Sequence, residues 1–412
     1  MKITPVKGTN DYLPAEAELR DYLQKKICET YENCGFQRIF TPIIEDIENL
    51  DKSEGGDNLN LIFKIMKRGD KLKKAIAAGD TDGIADMGLR YDLTLPLSRY
   101  YANNRAKLPA PFKVIQIDKV YRAERPQRGR LREFMQCDID ILGSDSPACE
   151  IELMHTTAKA LLNIGIKNFK IKVNDRRILR EILLSVGFEE DQLDSVSISF
   201  DKLDKIGPEG VRKELADKGY DEDVIARFME LLSNAPFTLD YVKTICKDTE
   251  HVDTLSWIID TANSLAQGSY SVVYDMTLVR GQGYYTGTVF EIESLDFGSS
   301  IAGGGRYDNL IGKFVREQIP AVGFSIGFER IFSILMDKKE ALPDKPKKIV
   351  VLHDEKEIEG AVRTAEELRA TYDTALFIKP KKLGKFLNRL EEQGYDGFLV
   401  YGRDEEVRMF GE

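Results

Sequence analysis

Five arginines fall between positions 122 and 132 of the stretch Tyr121-Arg-Ala-Glu-Arg-Pro-Gln-Arg-Gly-Arg-Leu-Arg-Glu-Phe134. Each guanidinium is a planar fork of donors that meets phosphate or carboxylate oxygens two at a time. Pro126 and Gly129 sit where a loop tip would form. Such a cluster could clamp a polyphosphate beside a carboxylate; a solvated charged hairpin has the same composition. Another cation, Arg280, precedes the run Gly-Gln-Gly-Tyr284-Tyr285-Thr-Gly. Paired tyrosines in a strand ordinarily pack, but their phenols can also hydrogen-bond a ligand. The run Ser300-Ile-Ala-Gly-Gly-Gly-Arg-Tyr-Asp308 reads as a glycine-rich turn whose backbone could approach a ligand closely. It lacks the Gly-Lys-Ser/Thr ending of a phosphate-binding P-loop. Arg330 falls in the first turn of a helix entered through Gly327, and helix N-termini attract phosphates. Asp92 and Thr94, two residues apart, suit an ammonium group or a plain turn. No Ser/His/Asp or Cys/His set appears.

The elements that must position these groups alternate in type. Residues 15–34 read as a long helix ending near Gly35, and residues 36–44 as a strand marked by Pro42. Residues 51–88, rich in Gly, Asp and Lys, read as a mobile surface excursion. Strand patterns at 112–117 and 135–142 flank the arginine loop as an antiparallel pair. Helices are expected at 148–165 and 176–186 around a strand at 169–173. Residues 190–268 read as an inserted, acidic, mostly helical region. Strands return at 270–277, 287–293 and 322–325. After a linker near 342–348, the order strand, helix, strand, helix, strand describes a small α/β domain.

The length of 412 residues predicts two or three domains. A net charge of −10 gives no global basic field for nucleic acid, leaving only a local stripe. The five cysteines are odd in number and form no CxxC, so with three histidines no metal site is expected and the thiols read as reduced. No secretory leader and no apolar run long enough to span a membrane are seen.

Taken together, the quoted segments resemble histidine–tRNA ligases. The arginine stretch is similar to motif 2 of class II aminoacyl-tRNA synthetases in the histidine-specific form, continued by Phe134-Met-Gln-Cys-Asp-Ile-Asp-Ile-Leu-Gly143. The run at 278–291 resembles a peptide peculiar to this family, with Gln282-Gly283 where the commonest form has Leu-Asp. Residues 300–308 resemble the pocket-floor peptide, 321–331 motif 3, 7–14 the N-terminal peptide, and the helix and strand around Pro42 motif 1.

The resemblance implies an α+β fold: a class II catalytic domain over 1–335, built on an antiparallel sheet flanked by helices, with a helical insertion at about 190–268. A shortened anticodon-binding-like α/β domain would cover 346–412, with Lys379, Lys381, Lys382 and Lys385 available to RNA phosphates. It implies ATP and Mg²⁺ as cofactors, L-histidine and tRNA(His) as substrates, a homodimer, no membrane association and a cytoplasmic location. Arg122 and Arg280 would be catalytic. Asp92, Leu93, Thr94, Arg122, Gln136, Asp140, Arg280, Tyr284 and Tyr285 would bind histidine. Arg122, Glu124, Phe134 and Arg330 would bind ATP, with Phe134 stacked on adenine and Arg330 on the γ-phosphate. The other family reading is the histidine-sensing regulatory subunit of ATP phosphoribosyltransferase; those paralogues generally lose motif 2 or the catalytic arginines, which this chain keeps.

Overall fold

Leu23, Ile27 and Tyr31 recur at helical spacing and are fully buried on one side of the helix Pro14–Asn33. Pro14 opens this helix, and the Glu16 carboxylate accepts from the Leu13 N–H at 2.6 Å. The computed structural model describes residues 3–52, 61–81, 83–126, 131–234, 237–279, 283–338 and 346–411. The chain divides into two compact units, Met1–Lys339 and Glu340–Glu412.

In the first unit the strands are β1 (Gln37–Arg38), β2 (Ile44–Asp46), β3 (Phe63–Met66), β4 (Ala85–Leu89), β5 (Phe112–Tyr121), β6 (Glu133–Leu142), β7 (Phe169–Asp175), β8 (Ser271–Tyr274), β9 (Thr288–Ser294), β10 (Ser299–Arg306) and β11 (Ala321–Gly327). Eight of them form one sheet in the order β1-β5-β6-β11-β10-β9-β7-β8. Its six central strands pair antiparallel, and only the edge strands β1 and β8 pair parallel. The helices Pro14–Asn33, Ala148–Asn163 and Glu250–Ala266 cover one face, where the main core gathers.

Three expectations change. The strand expected at 36–44 is split: β1 joins the large sheet, and β2 joins a small sheet of order β2-β4-β3. Pro42 has no N–H to continue a ladder. The buried Arg90 instead takes the Thr41 carbonyl at 2.8 Å, fixing the crossover between sheets. The excursion expected at 51–88 contains β3, β4 and the helix Gly69–Ala77; residues 53–60 and 82 lie outside the described residues. The glycine-rich turn expected at 300–308 is the strand β10, with each of Gly303, Gly304 and Gly305 paired on both sides. The region read as a helical insertion holds helices from Leu193–Phe200 to Glu250–Ala266.

The second unit has the expected alternation, with strands β12 (Lys348–His353), β13 (Asp373–Ile378), β14 (Gly397–Val400) and a further short β15 (Arg408–Met409). β12 is central, parallel to β13 and β14, and β15 adds antiparallel to β14. Val350 and Leu352 pack on one face with Leu390, and Val351 on the other with Ala361 and Ala365. The linker expected at 342–348 falls largely outside the described residues. No described helix is long and apolar enough to cross a membrane.

Candidate active site

Alternation along β6 sorts its side chains between two faces. Cys137, Ile139 and Ile141 enter the main core. Gln136, Asp138 and Asp140 line a cavity of about 530 Å³ on the other face. Across from them on β11 stand Gly327, Ser325 and Gly323. A Cβ on Gly323 would lie 1.9 Å from Asp140 Oδ1, and one on Gly304 would lie 2.0 Å from the Gly323 carbonyl oxygen. The glycines are what let backbone form this wall.

Asp92 and Thr94 enter from the start of the helix Thr94–Asn104. Asp92 Oδ1 accepts from the Leu95 N–H at 3.3 Å, while Oδ2 has no partner. Leu93 is buried beneath and does not line the cavity; its carbonyl accepts from Gln116 Nε2 at 2.9 Å. Arg122 follows β5 and donates from Nε to the Tyr91 carbonyl at 3.1 Å. Its guanidinium carbon sits 4.9 Å above the Phe134 ring centroid. Glu124 lies on the same wall. Arg330, in the first turn of Phe328–Lys338, reaches the cavity from the side opposite β6 and donates to the Ser300 carbonyl. Tyr284 is buried edge-on to Tyr285 and Tyr307, with ring centroids 5.0 and 6.0 Å away. Arg280 and Gln282, and Arg128 and Arg130 of the arginine loop, lie outside the described residues.

Sequence reasoning missed four residues on the wall. Tyr307 donates its hydroxyl to Asp140 Oδ1 at 2.6 Å. Asp138 is buried with Oδ1 unpartnered. Asp201 lines the cavity from the helical insertion. Glu329 accepts from both terminal nitrogens of Arg20, at 2.6 and 2.8 Å, and from the Met135 N–H at 3.2 Å. It thereby ties the long N-terminal helix to β6 and to the helix carrying Arg330. Only the alternation of β6 hinted at Asp138. The N-terminal peptide also braces the arginine loop, because the Gly8 carbonyl accepts from the Arg132 N–H at 2.7 Å.

The acids sit in an unusual field. Burial pushes the Asp140 carboxyl up to about 7, with Asp92 adding to the rise and the Tyr307 hydroxyl opposing it. Burial lifts Asp92 to about 6 against the N–H bonds and the Arg122 charge that hold it down. Asp138 is raised well above the usual carboxylate range by burial and then by Asp140. The cavity therefore offers an acidic end of buried carboxyls and a cationic end.

An antiparallel sheet that displays an arginine beside an aromatic ring on one strand pair, and a second arginine at a strand-to-helix junction, is the catalytic core of a class II aminoacyl-tRNA synthetase. The histidyl-tRNA synthetase family model matches residues 8–331, and the chain belongs to that family. It is 43% identical over 365 residues to a histidine–tRNA ligase of Leifsonia xyli, covering 85% of this chain and 84% of that one. The solved histidyl-tRNA synthetase of Nostoc sp. PCC 7120 superposes with a TM-score of 0.79 at 28% identity, covering 98% and 93% of the two chains. A Bacillus halodurans protein described as an ATP phosphoribosyltransferase regulatory subunit/histidyl-tRNA synthetase shares the fold, with a TM-score of 0.77 at 20% identity over 97% and 98%.

Proposed function

We infer that this chain is a histidine–tRNA ligase, which activates L-histidine with ATP and transfers it to the 3′ end of tRNA(His). The observation that carries the reading is the single cavity joining Arg122, Phe134 and Arg330 to the acids Asp92 and Asp140 and to Gln136 and Tyr284. ATP lies along the arginine end, with adenine against Phe134 and the terminal phosphate toward Arg330. Histidine lies along the acidic end, its ammonium at Asp92 and Thr94, its carboxylate at Arg122, and its ring among Asp140, Tyr284 and Tyr285. Gln136 borders both.

The histidine carboxylate oxygen forms a bond to the α-phosphorus as the bond to pyrophosphate breaks, giving histidyl-adenylate. Arg122 and Arg280 neutralise the charge that builds on the α-phosphate oxygens. Holding both substrates on one wall supplies much of the remainder. The terminal ribose hydroxyl of the tRNA then displaces AMP. Mg²⁺ takes oxygen ligands and accompanies nucleotide phosphates. Among the described residues no group of three acidic, histidine or cysteine side chains could cage a metal. The ion would enter with ATP, and Glu124, beside Arg122 on the wall, is a carboxylate that could hold it; it would supply further charge neutralisation.

The second unit would contact the tRNA through the exposed Lys381, Lys382 and Lys385. A homodimer and a cytoplasmic location complete the reading. The test is histidine-dependent exchange of pyrophosphate into ATP by the purified protein. Arg122→Ala should lower kcat by about 100- to 1000-fold, and Arg280→Ala should abolish exchange, with both variants folded by circular dichroism. Histidine binding without any exchange in the unaltered protein would instead make it a histidine sensor.

A further inference from the structure

We propose that Asp138 and Asp140 hold one proton between them and use it to recognise a neutral imidazole, Asp138 donating to one ring nitrogen and Asp140 accepting from the other. This rests on the reading that histidine occupies the acidic end of the cavity, and it adds Asp138 to the residues that choose the side chain.

The two residues are neighbours on one face of β6, about 7 Å apart along a strand, and both line the cavity. They are 5% and 4% exposed. The charged and titratable groups facing Asp138 come from every element around it. Asp140 shares its strand, Asp92 precedes the helix Thr94–Asn104, Arg122 follows β5 and Tyr307 follows β10. Tyr31 and Cys137 face it from beneath the sheet. Opposite on β11 stand only Gly323 and Ser325, and Gln116 pairs with it on β5. Three carboxylates thus share the space with one guanidinium. Like charges so placed do not all ionise, and the site keeps a proton.

Geometry decides where that proton resides. The Tyr307 hydroxyl donates to Asp140 Oδ1 at 2.6 Å, which favours Asp140 as the ionised acceptor. Asp138 Oδ1 is buried, lines no ladder and has no partner. The Ser325 hydroxyl beside it accepts from Gln136 Nε2 at 3.2 Å and also hydrogen-bonds Asp138, which opposes the effect of burial there. A phenol is a stronger donor than an aliphatic hydroxyl, so Tyr307 holds Asp140 ionised more firmly than Ser325 holds Asp138, and Asp138 is the acid of the pair that keeps the proton. A neutral imidazole has one N–H donor and one bare nitrogen acceptor. The pair matches it at both nitrogens, whereas two ionised carboxylates would leave the bare nitrogen facing a negative oxygen.

The experiment is a pH series from about 7.5 to about 9, above the titration of Asp140 and short of full loss of the substrate ammonium proton, on the full chain, of the histidine KM in pyrophosphate exchange and of histidine affinity by calorimetry. In the unaltered protein the KM should climb toward tenfold per pH unit on the alkaline side, with kcat changing little, as the shared proton is lost. Asp138→Asn keeps an N–H donor that cannot titrate. Its KM should be raised at neutral pH yet flat through the alkaline range. Asp138→Ala, lacking any donor, should raise KM by roughly 10- to 100-fold at every pH. An alkaline limb that persists in Asp138→Asn, or an unaltered KM in Asp138→Ala, overturns the proposal. If Asp138→Ala does not fold, the Asp138→Asn profile alone decides. Absence of exchange in the unaltered protein would sink the ligase reading, while the calorimetric profile would still judge the proton pair.

Discussion

Asp140 sits where its charge is expensive, and the cost has a sign that can be checked. Its carboxyl titrates at about 7 in the fold, against an ordinary value of 3.8. A raised folded value means the folded state holds the proton more tightly than the unfolded chain. The resulting stabilisation is complete below about pH 3.8 and is lost as pH climbs through about 7. Asp140→Asn removes this dependence. Between pH 5 and 8 the unaltered protein should lose roughly 2–3 kcal/mol relative to that variant in urea unfolding; parallel stability curves would contradict the burial argument. Gly323 tests the same wall by size. An alanine there places a methyl 1.9 Å from Asp140 Oδ1, so the carboxylate or β11 must move. Gly323→Ala should raise the histidine KM at least tenfold while changing the ATP KM far less. Equal effects on both substrates would mean that the strand, not the acid, had shifted.

At the scale of elements, Arg90 joins three segments that the site depends on. It is fully buried and donates to the Lys119 carbonyl at 2.9 Å and the Thr41 carbonyl at 2.8 Å, with Asp118 2.7 Å from its remaining nitrogen. Its own carbonyl accepts from the Tyr121 N–H, and its neighbour Tyr91 holds Arg122. Arg90→Met strands two buried carbonyls and should destabilise the protein by about 2–4 kcal/mol, read as a lower urea midpoint. A change below about 0.5 kcal/mol would show that the crossover at Pro42 holds without it. None of this was legible in the sequence, where Arg90 was only a letter beside Asp92. Strands β5, β6, β7 and β11 could be read because their apolar residues alternate or cluster. β10 could not, because Gly303, Gly304 and Gly305 carry no side chain to show a period. β3 and β4 were hidden by the Gly, Asp and Lys around them. Gln136 and Asp140, which line the cavity, were singled out through motif resemblance. Tyr307 and Glu329 were not, because their meaning lies in partners 167 and 309 residues away.

At the scale of the whole molecule, the small sheet poses a problem that one chain does not solve. Register places Ile44, Phe63, Ile65, Met87 and Leu89 on one face of β2, β3 and β4, with Asp46 at its end opposite Met87, where its carboxylate accepts from the Glu48 N–H. The other face turns Glu45 toward Arg99, at 2.7 Å, and sets Gly88 against Leu50 and Ile62. The apolar face is nevertheless open: Ile44 is 51% exposed, and Phe40 just before it 69%. A contiguous apolar face of this kind marks an interaction surface, and a two-fold pairing of identical copies would cover it twice at once. Stable interfaces bury about 800 Å² per partner, so exposed segments beside the sheet, such as Phe40, would join it. The same sheet leads through Leu89 and Arg90 directly into Asp92, so pairing would also steady the acidic end of the cavity. The double substitution Ile44→Asp, Met87→Asp sets charges on this face without touching the cavity wall. It should convert a sedimenting dimer to a monomer at micromolar concentration and raise the histidine KM. A monomeric unaltered protein, or a variant that remains dimeric, would place the interface elsewhere.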